Sequence, residues 1–178
     1  RKAVGRYVRT YEHQVVPTEK LLDLLDRDTG KPVSVLAKNF LNSPGVPELD
    51  FSVVCSEQKP GQSKPLKPTL KVVQTTSRDV SGYALPWHVP VCVRYGWDKK
   101  SAKTCFELSD KKASVELASD GCPAWFYGNA DQSGYYTWSI STQWNERLLQ
   151  NMSALSSPEK STLPAMMRRR AEAGKLSF

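Results

Sequence analysis

The chain has little of what chemistry or membranes demand. No apolar run approaches the roughly 18 to 20 residues that cross a bilayer, and no signal-peptide core stands at the start. It opens on Arg1-Lys2 without an initiator Met, as expected of a mature chain or a cut piece. Histidine is scarce: His13 and His88 are the only two, and neither lies in H-E-x-x-H or another close ligand cluster. The cysteines, at 55, 92, 105 and 122, include no C-x-x-C pair, so the paired spacing of zinc fingers and ribbons is missing. There is also no G-x-S-x-G, no P-loop and no dinucleotide fingerprint. These absences remove the commonest hydrolase, nucleotide and structural-zinc patterns.

The remaining routes to catalysis are thin. A catalytic Cys needs a base and an orienting group, and the spacing leaves His13 or His88 open as that base. Cys92, however, falls inside a strand pattern, where a thiol usually serves as a small apolar filler. Asp26 with Asp28, and Asp98 with Asp110, sit in turn-like surroundings and read as solvated acids, with nothing to support a glycosidase pair. The net charge of +7 is diffuse: residues 1–50 carry 8 basic against 7 acidic side chains, 51–139 carry 11 against 8, and 140–178 carry 6 against 3. Arg168-Arg169-Arg170 is the only tight basic cluster, and it reads as a solvated helix end where positive charge suits the dipole. No nucleic acid and no membrane is therefore expected as a partner.

What is present suits a globular core. The 178 residues are 39% hydrophobic and 24% charged, enough to bury one without help from disulfides. The pattern changes period twice. Val4, Tyr7, Val8 and Tyr11 form a helical stripe, Leu21, Leu22, Leu24 and Leu25 a second, and Val33, Leu36, Ala37 and Phe40 a third. Gly30 ends the second helix, Pro32 opens the third, and "NSPGVP" stops it.

From Glu48 to Ile140 the period is two, with strands expected at 49–55, 69–76, 88–95, 103–108, 113–117, 124–128 and 134–140. Seven short strands without helical interruption predict an antiparallel β-sandwich, with "SEQKPGQSKPLKP" as an exposed loop. Helical spacing returns after Ser141: first Trp144, Leu148, Met152 and Leu155, then a helix capped by Ser157 with Pro158 at its first position, ended by Gly174 and bent or interrupted by Pro164. These two helices show a thin apolar stripe with little to bury against. The fold class is thus α+β: a helical N-terminal segment, a seven-stranded antiparallel β-sandwich and a helical C-terminal segment. Trp125, Phe126, Tyr127, Tyr135, Tyr136 and Trp138 crowd the last two strands. They read as core or interdomain packing, or as a stacking platform for a ligand.

Specific words then stand out. The run from Arg1 to Phe51 resembles the end of the catalytic domain of zinc aminopeptidases of the aminopeptidase N (gluzincin) family. Its counterparts to the family's "T.EDL...L....G.PV...F..W..QPG.P" segment are Thr18, Leu21, Leu22, Leu25, Gly30, Pro32, Val33, Phe40, Leu41, Pro44, Gly45 and Pro47. "ALPWHVPVCVRY" is similar to the family's "W.IPV.V.Y" strand, "CPAWFYGNADQSGYYTWSIS" to its "W...N....GYYR" strand pair, and "LSSPEKSTLPAMMRRRAEAGKLSF" to the first helices of its C-terminal domain.

The resemblance implies three parts: residues 1–47 as the helical tail of a thermolysin-like catalytic domain, 48–140 as the β-sandwich, and 141–178 as the first helices of a helical domain. It implies a hydrolase parent, a metallopeptidase that removes N-terminal residues from peptides, with zinc in that parent and its other domains as partners. The family's zinc ligands, catalytic glutamate, G-x-M-E-N segment and transition-state tyrosine have no counterpart here. No catalytic, cofactor-binding or metal residue is therefore assigned, no cofactor is expected, and the chain alone is expected to be inert.

The cysteines are better read as staples. A hairpin symmetric about Asp98 and Lys99 sets Cys92 opposite Cys105 and Tyr95 opposite Ala102, within disulfide reach. Cys55 and Cys122 are either paired across the sheets or free. A Cys92–Cys105 bridge favours an extracytoplasmic parent.

Overall fold

The computed structural model describes residues 2–55, 67–75 and 86–172, apart from the Arg170 side chain. The chain divides into two compact units, Arg1–Pro44 and Gly45–Phe178. Most of the expected exposed loop, the expected Gly174 helix end and the 76–85 segment lie outside the described residues.

The first unit holds helices α1 (Lys2–Thr10), α2 (Thr18–Thr29) and α3 (Val33–Asn42). Gly30 closes α2 at φ 62°, donating its N–H to Asp26 O. A residue without Cβ takes that left-handed conformation at little cost. The Asp26 carboxylate accepts from Ser34 N at 2.8 Å and Ser34 Oγ at 2.6 Å, so it satisfies an orphan amide in the first turn of α3. Arg6 reaches Asp28 at 2.8 Å and ties α1 to α2. The two acids expected to be solvated are instead the joints of this unit. Its buried apolar residues are Leu22 and Leu24, while Val4, Val8, Val35 and Leu41 stay exposed.

The second unit carries two sheets. One has four strands in the order β5-β2-β1-β7 and the other three in the order β4-β3-β6. The strands are β1 (Glu48–Val54), β2 (Thr69–Thr75), β3 (Val89–Trp97), β4 (Lys100–Leu108), β5 (Lys112–Glu116), β6 (Trp125–Tyr127) and β7 (Thr137–Ser139). All seven expected strands are present, but the all-antiparallel expectation fails at one pair: β1 and β7 run parallel, with Leu49 beside Trp138. The last two aromatic segments do not pair with each other either, because β6 adds to β3 while β7 joins β1 in the other sheet. Between them the Asn129 side chain brackets Gly134, donating to its O and accepting from its N, both at 2.9 Å. That bracket closes a loop in which Asp131 and Gln132 adopt φ values of 57° and 54°.

Alternation builds the core. Leu70, Val72 and Gln74 of β2, and Val89, Val91, Val93 and Tyr95 of β3, are all at most 1% exposed. Buried Gln74 substitutes for backbone pairing: its Nε2 donates to Trp87 O and Asp110 O, and its Oε1 accepts from Trp87 N. Rings from the two sheets meet edge to face, Phe51 with Phe126 at 6.4 Å and Trp138 with Tyr127 at 4.8 Å.

Helices α4 (Thr142–Gln150) and α5 (Ser157–Glu172) follow. Ser141 caps α4 by accepting from Trp144 N. The expectation that these helices have little to bury against is overturned. Trp144 meets Phe126 at 5.1 Å, and Leu148, Leu155 and Leu163 are all at most 4% exposed. Pro164 does not interrupt α5, which runs through it. Pro164 lacks an N–H for Lys160 O, and buried Leu163 with the Glu159 and Thr162 contacts holds the turn before it.

Candidate functional site

The cysteines come together in pairs and not as a cluster. Cys92 faces Cys105 in the β3–β4 ladder, as Tyr95 faces Ala102, and the first pair is bridged with Cα atoms 4.1 Å apart. Cys55 bridges Cys122 across 67 residues, with Cα atoms 5.4 Å apart. With all four sulfurs in disulfides, none serves as a thiolate nucleophile.

His13 belongs to the first unit and His88 to the second. His13 Nε2 sits 3.5 Å from Glu12, and His88 Nδ1 sits 3.5 Å from Glu107. Among the described residues no group of three His, Cys, Asp or Glu gathers as metal ligands, so the described residues do not fit a zinc site. Asp98 occupies the β3–β4 turn at φ 49°, and the Asp110 carbonyl accepts from Gln74. Arg168 pairs with Glu172.

The aromatic cluster is core. Trp125, Phe126, Tyr127, Tyr136 and Trp138 are all at most 8% exposed, and only Tyr135, at 67%, turns a ring to solvent. Two glycines explain how the indoles fit. A Cβ on Gly96 would stand 2.5 Å from the Trp125 ring, and one on Gly128 would stand 2.6 Å from the Trp138 ring. A shallow pocket of about 240 Å³ beside Asp50, Phe51 and Ser139 to Ser141 is smaller than a typical ligand site.

The densest polar constellation went unrecognised in the sequence. Glu159, on the first turn of α5, is fully buried and accepts from Arg94 Nε, Asp131 N and Ser156 N at 2.8 to 2.9 Å. Arg94 also pairs with Asp131, whose other oxygen takes Lys103 Nζ at 3.2 Å. Alongside, Tyr127 and Thr162 share a hydroxyl contact at 2.8 Å, and Gln132 Nε2 donates to both. One readable signal existed: Ser156 and Glu159 have the S-x-x-E spacing of a capping box.

Burial pushes the Glu159 carboxyl up, but the Asp131 and Ser156 amides and the Arg94 guanidinium outweigh it and hold the group below its ordinary value. A hydrogen bond from Lys103, aided by Arg94, lowers Asp131. Burial raises the Tyr127 phenol. The result is an ionised carboxylate saturated by donors and a neutral phenol locked in a hydroxyl network. Such groups clamp α5 to β3 and to the 129–134 loop, and they hold no proton ready for transfer.

Fold and site together define a disulfide-braced α+β unit with a buried ionic clamp. The chain matches no protein-family model and no curated protein sequence.

Proposed function

We propose that the chain is a non-catalytic region of a zinc-dependent aminopeptidase-like protein, a spacer that fixes a helical segment against a β-sandwich. The observation that carries this reading is the Arg94–Glu159 clamp, which makes α5 and the sheets one unit. A spacer of this kind transmits orientation from one domain to the next only if its own parts do not hinge. Two sheets with rings interleaved between them support reading the strands as a sandwich. The order helices, strands, helices supports the kinship that the "SPGVP" to "GYY" succession suggests. Two disulfides, with no helix among the described residues long and apolar enough to cross a membrane, support an extracytoplasmic parent.

The coding sequence upstream of Arg1 tests the kinship. An H-E-x-x-H with a downstream Glu is expected there, and an unrelated domain overturns the reading. The purified chain is expected to leave an aminoacyl-arylamide intact with zinc added; zinc-dependent hydrolysis overturns the non-catalytic assignment.

A further inference from the structure

Among the described residues strand β4 has a single neighbour, β3, and it runs nine residues along the edge of its sheet. Which backbone groups face the open side follows from the alternation of an antiparallel ladder. The 4.1 Å Cα separation of Cys92 and Cys105 belongs to a non-hydrogen-bonded pair, near 4.5 Å, and not to a bonded one, near 5.5 Å. Two hydrogen bonds agree. Gly96 O accepts from Ala124 N at 2.7 Å, and Cys92 O accepts from the Tyr136 hydroxyl at 3.4 Å, so the even-numbered residues of β3 aim away from β4. Their opposites in β4, Ser101, Lys103, Cys105 and Glu107, therefore aim N–H and C=O outward. Among the described residues, no turn, loop or side-chain hydrogen bond ends on these groups.

An open edge of this length is a template for another strand. We propose that it pairs with β4 of a second copy, antiparallel about a twofold axis through Cys105, joining two three-stranded sheets into one of six. The charges select both partner and register. With Cys105 on the axis, Lys103 faces Glu107 of the second copy and Glu107 faces its Lys103, giving two opposite-charge pairs. Both side chains reach solvent, Lys103 at 48% and Glu107 at 57% exposure. An axis through Thr104 sets Lys103 against Cys105 and loses both pairs, and an axis through Lys103 opposes like charges. Lysine on an edge ordinarily keeps copies apart; here the acid four residues along turns the same row into a self-complementary one. On the other face, half-buried Thr104 and Phe106 would cover each other across the axis.

Sedimentation equilibrium over a concentration series tests this. The chain is expected to show a monomer–dimer equilibrium. Lys103→Glu and Glu107→Lys should each weaken it by tenfold or more, and the double reversal should restore it. The Lys103 to Asp131 contact, lost in the double variant as well, cannot produce that rescue. Lys103→Pro removes an outward N–H without touching the β3–β4 ladder, and should give a monomer with an unchanged circular dichroism spectrum. A chain monomeric at every concentration, including one whose edge takes up an added extended peptide instead, overturns the proposal. So does a dimer indifferent to the single reversals, or one the double reversal fails to rescue.

Discussion

Glu159 is the residue on which sheet and helix jointly depend. Replacing it by Ala leaves two amides and part of the Arg94 guanidinium without an acceptor inside the fold, which should lower stability by about 3 kcal/mol, read from the urea midpoint. The pH dependence has a definite sign. Glu159 and Asp131 both titrate lower folded than unfolded, so their contribution is complete above their unfolded values, near pH 4 to 5, and drains away as pH falls through the lowered ones. Stability measured from pH 7 to 3 should therefore fall on an acid limb that Glu159→Gln makes shallower; an unchanged limb would refute the role. A second site is set by close approach. Gly96→Ala drives a methyl into the Trp125 indole and should cost about 1 to 3 kcal/mol, whereas the same change at Gly121, with open space around it, should cost much less. The Ser156–Glu159 capping spacing was legible beforehand, but the Arg94 partner and the Gly96 contact were not. Arg94 and Glu159 are 65 residues apart, and a glycine in a strand gives no sign of the ring that will lie on it.

At the scale of elements the two disulfides act differently. The Cys92–Cys105 bridge joins strands that are already paired along nine residues, and it closes a short loop. Removing it by a double Ala substitution should cost about 3 kcal/mol on the chain-entropy estimate. The Cys55–Cys122 bridge ties the end of β1 to the segment before β6 across 67 residues. Its removal should cost about 4 kcal/mol by the same estimate, the larger loop being the harder to close. Guanidinium unfolding of the two double variants checks the order, and a reversed order would refute the estimate. The β3–β4 pairing was legible because a tight turn and a period of two set register locally. The parallel β1–β7 pair was not, because no property of Leu49 or Trp138 states in which direction their strands run past each other.

At the scale of the molecule, residues 1–44 and 45–178 have unequal means of holding themselves together. The first unit buries Leu22 and Leu24 and leaves five large apolar side chains exposed, Val4, Val8, Val15, Val35 and Leu41, too little core for a piece near the smallest size that folds alone. The second has two sheets, two disulfides and a clamp. Expressed separately, residues 45–178 should unfold in one cooperative transition, and residues 1–44 should show a largely unordered circular dichroism spectrum; a cooperative melt of 1–44 would refute this. By itself the sequence determined the order of helices and strands and the Cys92–Cys105 register, because periodicity, prolines, glycines and tight turns act over a few residues. Only the tertiary structure decided that the Trp125 to Trp138 aromatics are core, that the last helices belong with the sheets, and that Glu159 finds Arg94. Those outcomes are set by which distant surfaces exclude water together, and that is a property of the packed chain and of no short stretch of it.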